Sequence, residues 1–161
     1  FKEEKMLGII KKIEEITDVE LENVGKLDGS NGSRLGIINA VCGFGEYDGY
    51  KITTDNHEFY ILINNLQCCC EDWGYFASED DFDMYIGKEL KEVNLTDTAL
   101  NNQKAEENGK YGYNNGGIQF INFAFTDGSV LQFAVYNAHN GYYGHGIIFA
   151  KDAEILLEDT L

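Results

Sequence analysis

Three groups of residues bring chemistry-bearing side chains close together. The first is the run Cys68, Cys69 and Cys70, with Cys42 elsewhere in the chain. In an extended strand adjacent side chains point to opposite faces, so Cys68 and Cys70 would share one face and Cys69 the other. Three neighbours make a poor tetrahedral zinc cage, which usually draws on two separated pairs. Cys42, Cys68, Cys70 and a histidine could complete one, and a redox or disulfide role is a second reading. The pattern favours a third, buried cysteine acting as a small hydrophobe. No residue is therefore assigned as a metal ligand, and no cofactor is expected.

The second group is "YNAHNGYYGH", residues 136 to 145. His139 and His145 stand six apart, not the four of a helical metal pair. Around them lie Tyr136, Asn137, Asn140, Tyr142 and Tyr143, aromatic rings and neutral amides suited to stacking on a planar ring and reading its polar edge. Trp73 and Tyr75, which follow another hairpin, are expected on the same site, and Arg34 is the one arginine available to an anionic ligand. The competing reading is an Asn140–Gly141 turn whose tyrosines pack on a sheet. Cys69 with His139 or His145 would make a nucleophile and base, but nothing local supports that pair. No catalytic residue is assigned, and a non-enzymatic role is expected.

The third group, Asp80, Asp81 and Asp83, lacks the oxygen-ligand spacing and the glycine of a calcium loop and reads as a solvated loop. Gly8, Gly43, Gly45 and Gly49 have no strand–glycine–helix unit around them, so they do not form a phosphate loop.

The elements that must position these groups are mostly strands. "YKITT" and "EFYILINNL" flank Asp55, Asn56 and His57 as a hairpin, with Ile52, Phe59, Ile61 and Ile63 forming one set of side chains and Tyr60, Leu62 and Leu66 the other. "IQFINFAF" and "VLQFAVY" form a second hairpin around Asp127 and Gly128. Met6, Ile9, Ile10, Ile13 and Ile16 have helical spacing, although the same letters fit a strand. "YIGKELKEVNL" and "AEILLED" suit a short helix or a strand, and "GIIFA" a last strand. Residues 25–36 and 101–117 are rich in Gly, Asn and Ser and read as loops, the latter the longest. The expectation is one α+β domain over residues 1–161, with two hairpins at the centre of an antiparallel sheet and one or two short helices.

Charge narrows the partners. Twelve Lys and Arg against 28 Asp and Glu leave a formal charge of −16. Such a surface repels nucleic acid and anionic lipid and attracts a basic protein. No run approaches the roughly 18–20 apolar residues of a membrane span. "FKEEKMLGII" lacks the basic segment and apolar core of an export signal, so a cytoplasmic location is expected. Nothing in the pattern decides against a homo-oligomer.

"QCCCED" after a strand, "IGKELKEV" downstream, "FAFTDGSVLQFAVY" and then "NGYYGH" occur in that order over roughly residues 50–150. Together they resemble an uncharacterised small domain family of phages, prophages and bacteria, marked by Cys-Cys-Glu after a hairpin and Asn-Gly-Tyr-Tyr after the last long strand. The resemblance implies a sheet-based α+β fold, a mobile-element setting and, in a phage, the host cytoplasm. It implies no activity. The functional expectation is a binding protein that counters a host defence pathway by sequestering a nucleotide-type signal. The alternatives are an acidic inhibitor filling the basic groove of a host nuclease or other defence protein and, third, a Cys-dependent enzyme.

Overall fold

The hairpin of residues 117–138 shows how the core is built. Phe123, Leu131, Phe133 and Val135 are apolar on a face that is shut away from water, and the two strands pair in continuous antiparallel register from Gly117↔Asn137 to Ala124↔Val130. At its tip the Phe125 amide donates to the Ser129 carbonyl at 2.9 Å, and Gly128 takes φ +89°, a conformation cheap only without a Cβ. Lys88 reaches the tip at 2.8 Å from Asp127, whose carboxyl is held below its ordinary range by Lys88 and by Ser129.

A computed structural model describes residues 7–20, 46–108, 117–138, 143–152 and 154–161. In chain order the strands are β1 (Ile10–Val19), β2 (Tyr47–Thr54), β3 (Glu58–Asn64), β4 (Asp72–Ala77), β5 (Leu90–Thr96), β6 (Gly117–Phe125), β7 (Val130–Ala138), β8 (Gly146–Lys151) and β9 (Glu154–Thr160). A 3-10 turn at Asp83–Tyr85 precedes β5, and a helix, α1 (Asn102–Asn108), precedes β6. The strands form a five-stranded sheet in the order β1-β2-β3-β8-β9 and a four-stranded sheet in the order β4-β7-β6-β5, with every pairing antiparallel.

The expected α+β class is overturned. Strand accounts for 61% of the described residues and helix for 9%, and the two antiparallel sheets make this a mostly-β protein. They pack face to face, because one buried cluster joins Tyr50, Ile52, Phe59, Ile61 and Ile63 of the larger sheet to Ile121, Phe123, Leu131, Phe133 and Val135 of the smaller. The predicted division of the first hairpin holds except at Leu66: Ile52, Phe59, Ile61 and Ile63 face this interior, Leu62 and Tyr60 belong to a second cluster with Tyr47 and Ile148, and Leu66 lies exposed beyond β3. At Gly49 the partner strand comes so close that a Cβ would sit 1.8 Å from the Ile61 carbonyl oxygen.

The helical spacing of residues 6–16 belongs to a strand. Of that stretch Ile10 is buried in β1, while Ile13 and Ile16 are half-buried. Register shifts between Ile10 and Lys12 and between Ile16 and Val19 break the strict alternation that would have marked it as β. "AEILLED" is likewise strand, in β9. Within the expected long loop, Asn102–Asn108 forms α1, which lies over the outer face of the smaller sheet with Ala105 against Phe76, Phe120 and Tyr136. Among the described residues no helix is long and apolar enough to cross a membrane.

Candidate functional site

β4 and β7 divide the predicted ligand residues between two faces. Trp73 pairs with Asn137 and Tyr75 with Val135, so Trp73, Tyr75 and Asn137 face the interior between the sheets. Tyr136 pairs with Gly74 and faces outward, packing on Phe76 with its hydroxyl 3.3 Å from Asn108 Oδ1 of α1. Tyr136 therefore cannot share a site with Trp73 and Tyr75. His139, Asn140, Tyr142 and Arg34 lie outside the described residues, as does Cys42.

His145 is wholly buried, and both ring nitrogens are engaged. Nδ1 donates to the Asn64 carbonyl at 2.6 Å, and Nε2 lies 2.6 Å from Glu71 Oε2. A carbonyl can only accept, so Nδ1 carries a proton, and another lies between Nε2 and the carboxylate. Glu71 also accepts the backbone N–H groups of Cys68 and Cys69 at 3.0 and 2.9 Å and the Gln67 amide at 2.9 Å. Burial pushes the Glu71 carboxyl up, but the Cys68 N–H, His145 and the Cys69 N–H outweigh it and hold the group below its ordinary range. Trp73 covers this pair: its ring stacks on His145 at 5.3 Å and 23°, and its Nε1 donates to Gln67 Oε1 at 2.7 Å. Asn137, also wholly buried, donates to the carbonyls of Tyr143 and Leu161 at 2.7 and 3.0 Å.

This arrangement gives His145, Asn137 and Tyr136 partners within the protein. They bind the protein to itself, and neither His145 nitrogen is left to take a proton from Cys69 or read a ligand. The cysteines are also misplaced by the expectation of small buried hydrophobes. Cys68, Cys69 and Cys70 are exposed in the segment between β3 and β4, and Cys68 is disulfide-bonded. Among the described residues no group of three His, Cys, Asp or Glu side chains could hold a metal ion.

Acid titration checks the status of Glu71. A carboxyl held below its unfolded value stabilises the fold above about pH 4.3, and that contribution is lost as pH falls through the lowered folded value. Urea unfolding at a series of pH values should show an acid limb in which Glu71→Gln, less stable at neutral pH, loses less on acidification than the parent. Parallel limbs would show that Glu71 does not carry this dependence.

Tyr75 opens onto a cleft of about 330 Å³, which it lines with Glu15, Tyr50, Glu79, Asp80, Phe82 and Lys104. Its hydroxyl donates to Glu15 Oε1 at 2.5 Å, and its ring meets Tyr50 edge-on at 5.2 Å. Burial, and then the Glu15 charge, raises both hydroxyls above their ordinary value, with Glu15 also Tyr75's hydrogen-bond partner. Lys104 of α1 donates to the Ala77 carbonyl at 2.8 Å and pairs with Asp80. Three carboxylates and one ammonium thus line a partly aromatic hollow.

Residues 6–149 match the family described as a domain of unknown function, DUF7448. The chain belongs to the DUF7448 family. Uncharacterized protein L278 of Acanthamoeba polyphaga mimivirus is similar to this DUF7448 chain, at 30% identity over 103 residues, covering 61% of the chain and 74% of the viral protein. No solved structure matches it significantly. The resemblance to an uncharacterised family is thus supported with a viral relative. Sequence reasoning missed Glu71, Gln67 and Asn64, and it missed the cleft residues Glu15, Tyr50, Phe82 and Lys104. Glu71 and Gln67 left a signal, since both lie inside the quoted "QCCCED" segment.

Proposed function

We propose that this DUF7448 domain is a non-enzymatic binding protein of a viral, phage or other mobile element that blocks a host protein, such as a defence nuclease, by offering an acidic surface to a basic one. The cleft of Glu15, Tyr75 and Asp80 carries the reading. Its carboxylates and aromatic rings suit a lysine or arginine side chain, which gains from nearby negative charge and from ring faces. The formal charge of −16 supports the same class of partner. Sequestration of a nucleotide-type signal is less well supported, because a phosphate would meet Glu15, Glu79 and Asp80 and because both His145 nitrogens and the Asn137 amide nitrogen are committed elsewhere.

The test uses a short Arg- and Lys-rich peptide, calorimetry and two salt concentrations. Binding is expected to weaken steeply with ionic strength and to be lost in the triple variant Glu15→Gln, Glu79→Gln, Asp80→Asn while the melting temperature changes little. Salt-insensitive binding, or full binding by the triple variant, would remove the cleft from the proposal. Tight binding of a nucleotide instead would restore the sequestration reading.

A further inference from the structure

We propose that Cys69 and Cys70 are a redox modification site, a vicinal dithiol that exchanges reversibly with low-molecular-weight disulfides of the glutathione class to form a disulfide between adjacent residues. Cysteine is among the most buried residue types, yet these two are free and exposed side by side. Their sulfurs are 2.8 Å apart, inside van der Waals contact, and a disulfide at about 2.0 Å needs only a small further approach. Neighbouring Cys68 is disulfide-bonded, which leaves Cys69 and Cys70 as the free thiols of this loop. Tyr143 is hydrogen-bonded to Cys69, which places a hydroxyl beside one of the two thiols.

Metal capture fits less well. Two sulfurs need further ligands, the adjacent carboxylate of Glu71 is occupied by His145, Gln67 and two backbone N–H groups, and no three-residue ligand group exists among the described residues. Oxidation needs no third group. The thiolate of one cysteine attacks a sulfur of the small disulfide, forming a mixed S–S bond and expelling one small thiolate. The second cysteine gives up its proton and attacks the protein-bound sulfur, so the mixed bond breaks and a second small thiolate leaves. Two electrons pass from the cysteine pair to the small disulfide, and the two protons lost by the cysteines are taken up by the two small thiols. Adjacent Cα atoms are held about 3.8 Å apart, short of the usual disulfide span, so the product is readily reduced and the step reversible.

The site also has a built-in reporter. The Cys69 carbonyl, part of the peptide unit the new ring would constrain, accepts from Gln67 Nε2 at 3.2 Å, and Gln67 holds Trp73, the one tryptophan of the chain. The full chain should be equilibrated in glutathione mixtures of graded composition, then alkylated, digested and mapped by mass spectrometry while Trp73 fluorescence is followed. Cys69 and Cys70 are expected to lose alkylation together by tenfold or more, to lose two hydrogens without an adduct, to recover with reductant, and to change Trp73 fluorescence at the same midpoint. Cys70→Ser should stop at a glutathione adduct on Cys69. The proposal is overturned if both thiols stay alkylatable, if the parent retains stable adducts without closing, if the new bond involves Cys68, or if stoichiometric zinc protects both sulfurs.

Discussion

Replacing Glu71 by Leu is expected to destabilise the domain by about 3–5 kcal/mol, the usual cost of removing one member of a buried ion pair. The variant strands the Cys68 and Cys69 N–H groups, the Gln67 amide and one nitrogen of a wholly buried imidazole. Each was paired by the same carboxylate, so a single substitution removes four acceptor contacts. The double variant Glu71→Leu, His145→Leu discriminates the causes. Exchanging both members of a buried pair for apolar groups is often close to neutral, but here the two backbone donors remain orphaned. The double variant should therefore regain part of the loss, not all of it. Urea unfolding of the parent, both single variants and the double variant measures this, and a nearly harmless Glu71→Leu would show that the pair is not buried as described.

Phe133→Ala is expected to cost about 3–5 kcal/mol as well, through a different mechanism. Its ring is wholly buried at the centre of the sandwich and meets Phe123 at 5.3 Å, Tyr50 at 4.8 Å and Phe82 at 6.1 Å. Those partners come from β6, from β2 in the opposite sheet and from the segment after β4, so the cavity would open between layers with no single element able to collapse into it. Calorimetry should show a melting temperature lower by roughly 2–4 °C for each kcal/mol lost. A shift of only a degree or two would mean that the layers close over the gap. Phe133 also backs Tyr50 in the wall of the acidic cleft, so the variant's peptide affinity should fall with its stability.

What was legible in the sequence was the local part. Both hairpins are where alternation and turn chemistry put them, because Asp127–Gly128 and Asp55–His57 interrupt runs whose apolar faces are set by residues two apart. β1 was ambiguous because its bulges reproduce helical spacing, and β4 was hidden because its acidic and aromatic letters, Asp72 to Ala77, resemble the loop that follows them. The class was misjudged because three segments that suited either helix or strand, residues 6–16, "YIGKELKEVNL" and "AEILLED", became β1, β5 and β9. The candidate site was harder still. Trp73 and His145 do meet, but as a stacked lid over a buried ring hydrogen-bonded at both nitrogens. The partner that decides this, Glu71, is 74 residues away in sequence from His145. Likewise Glu15 and Tyr75 join across 60 residues to line the cleft, a separation no local pattern encodes.

The irregular pairing at the margins of the sheets bears on how such a strand-rich chain stays dispersed. β1 carries two register shifts, β5 one between Leu90 and Glu92, and the β8–β9 ladder one at Phe149 and Ala150. These strands lie at three of the four sheet margins and carry Lys12 and Glu14, Lys91 and Glu92, and Glu158 and Asp159. A bulged, charged margin presents its free amides and carbonyls out of step with a straight neighbour, so it is a poor template for another copy's strand. Those three margins are thereby guarded against strand addition by the irregularity of their own ladders.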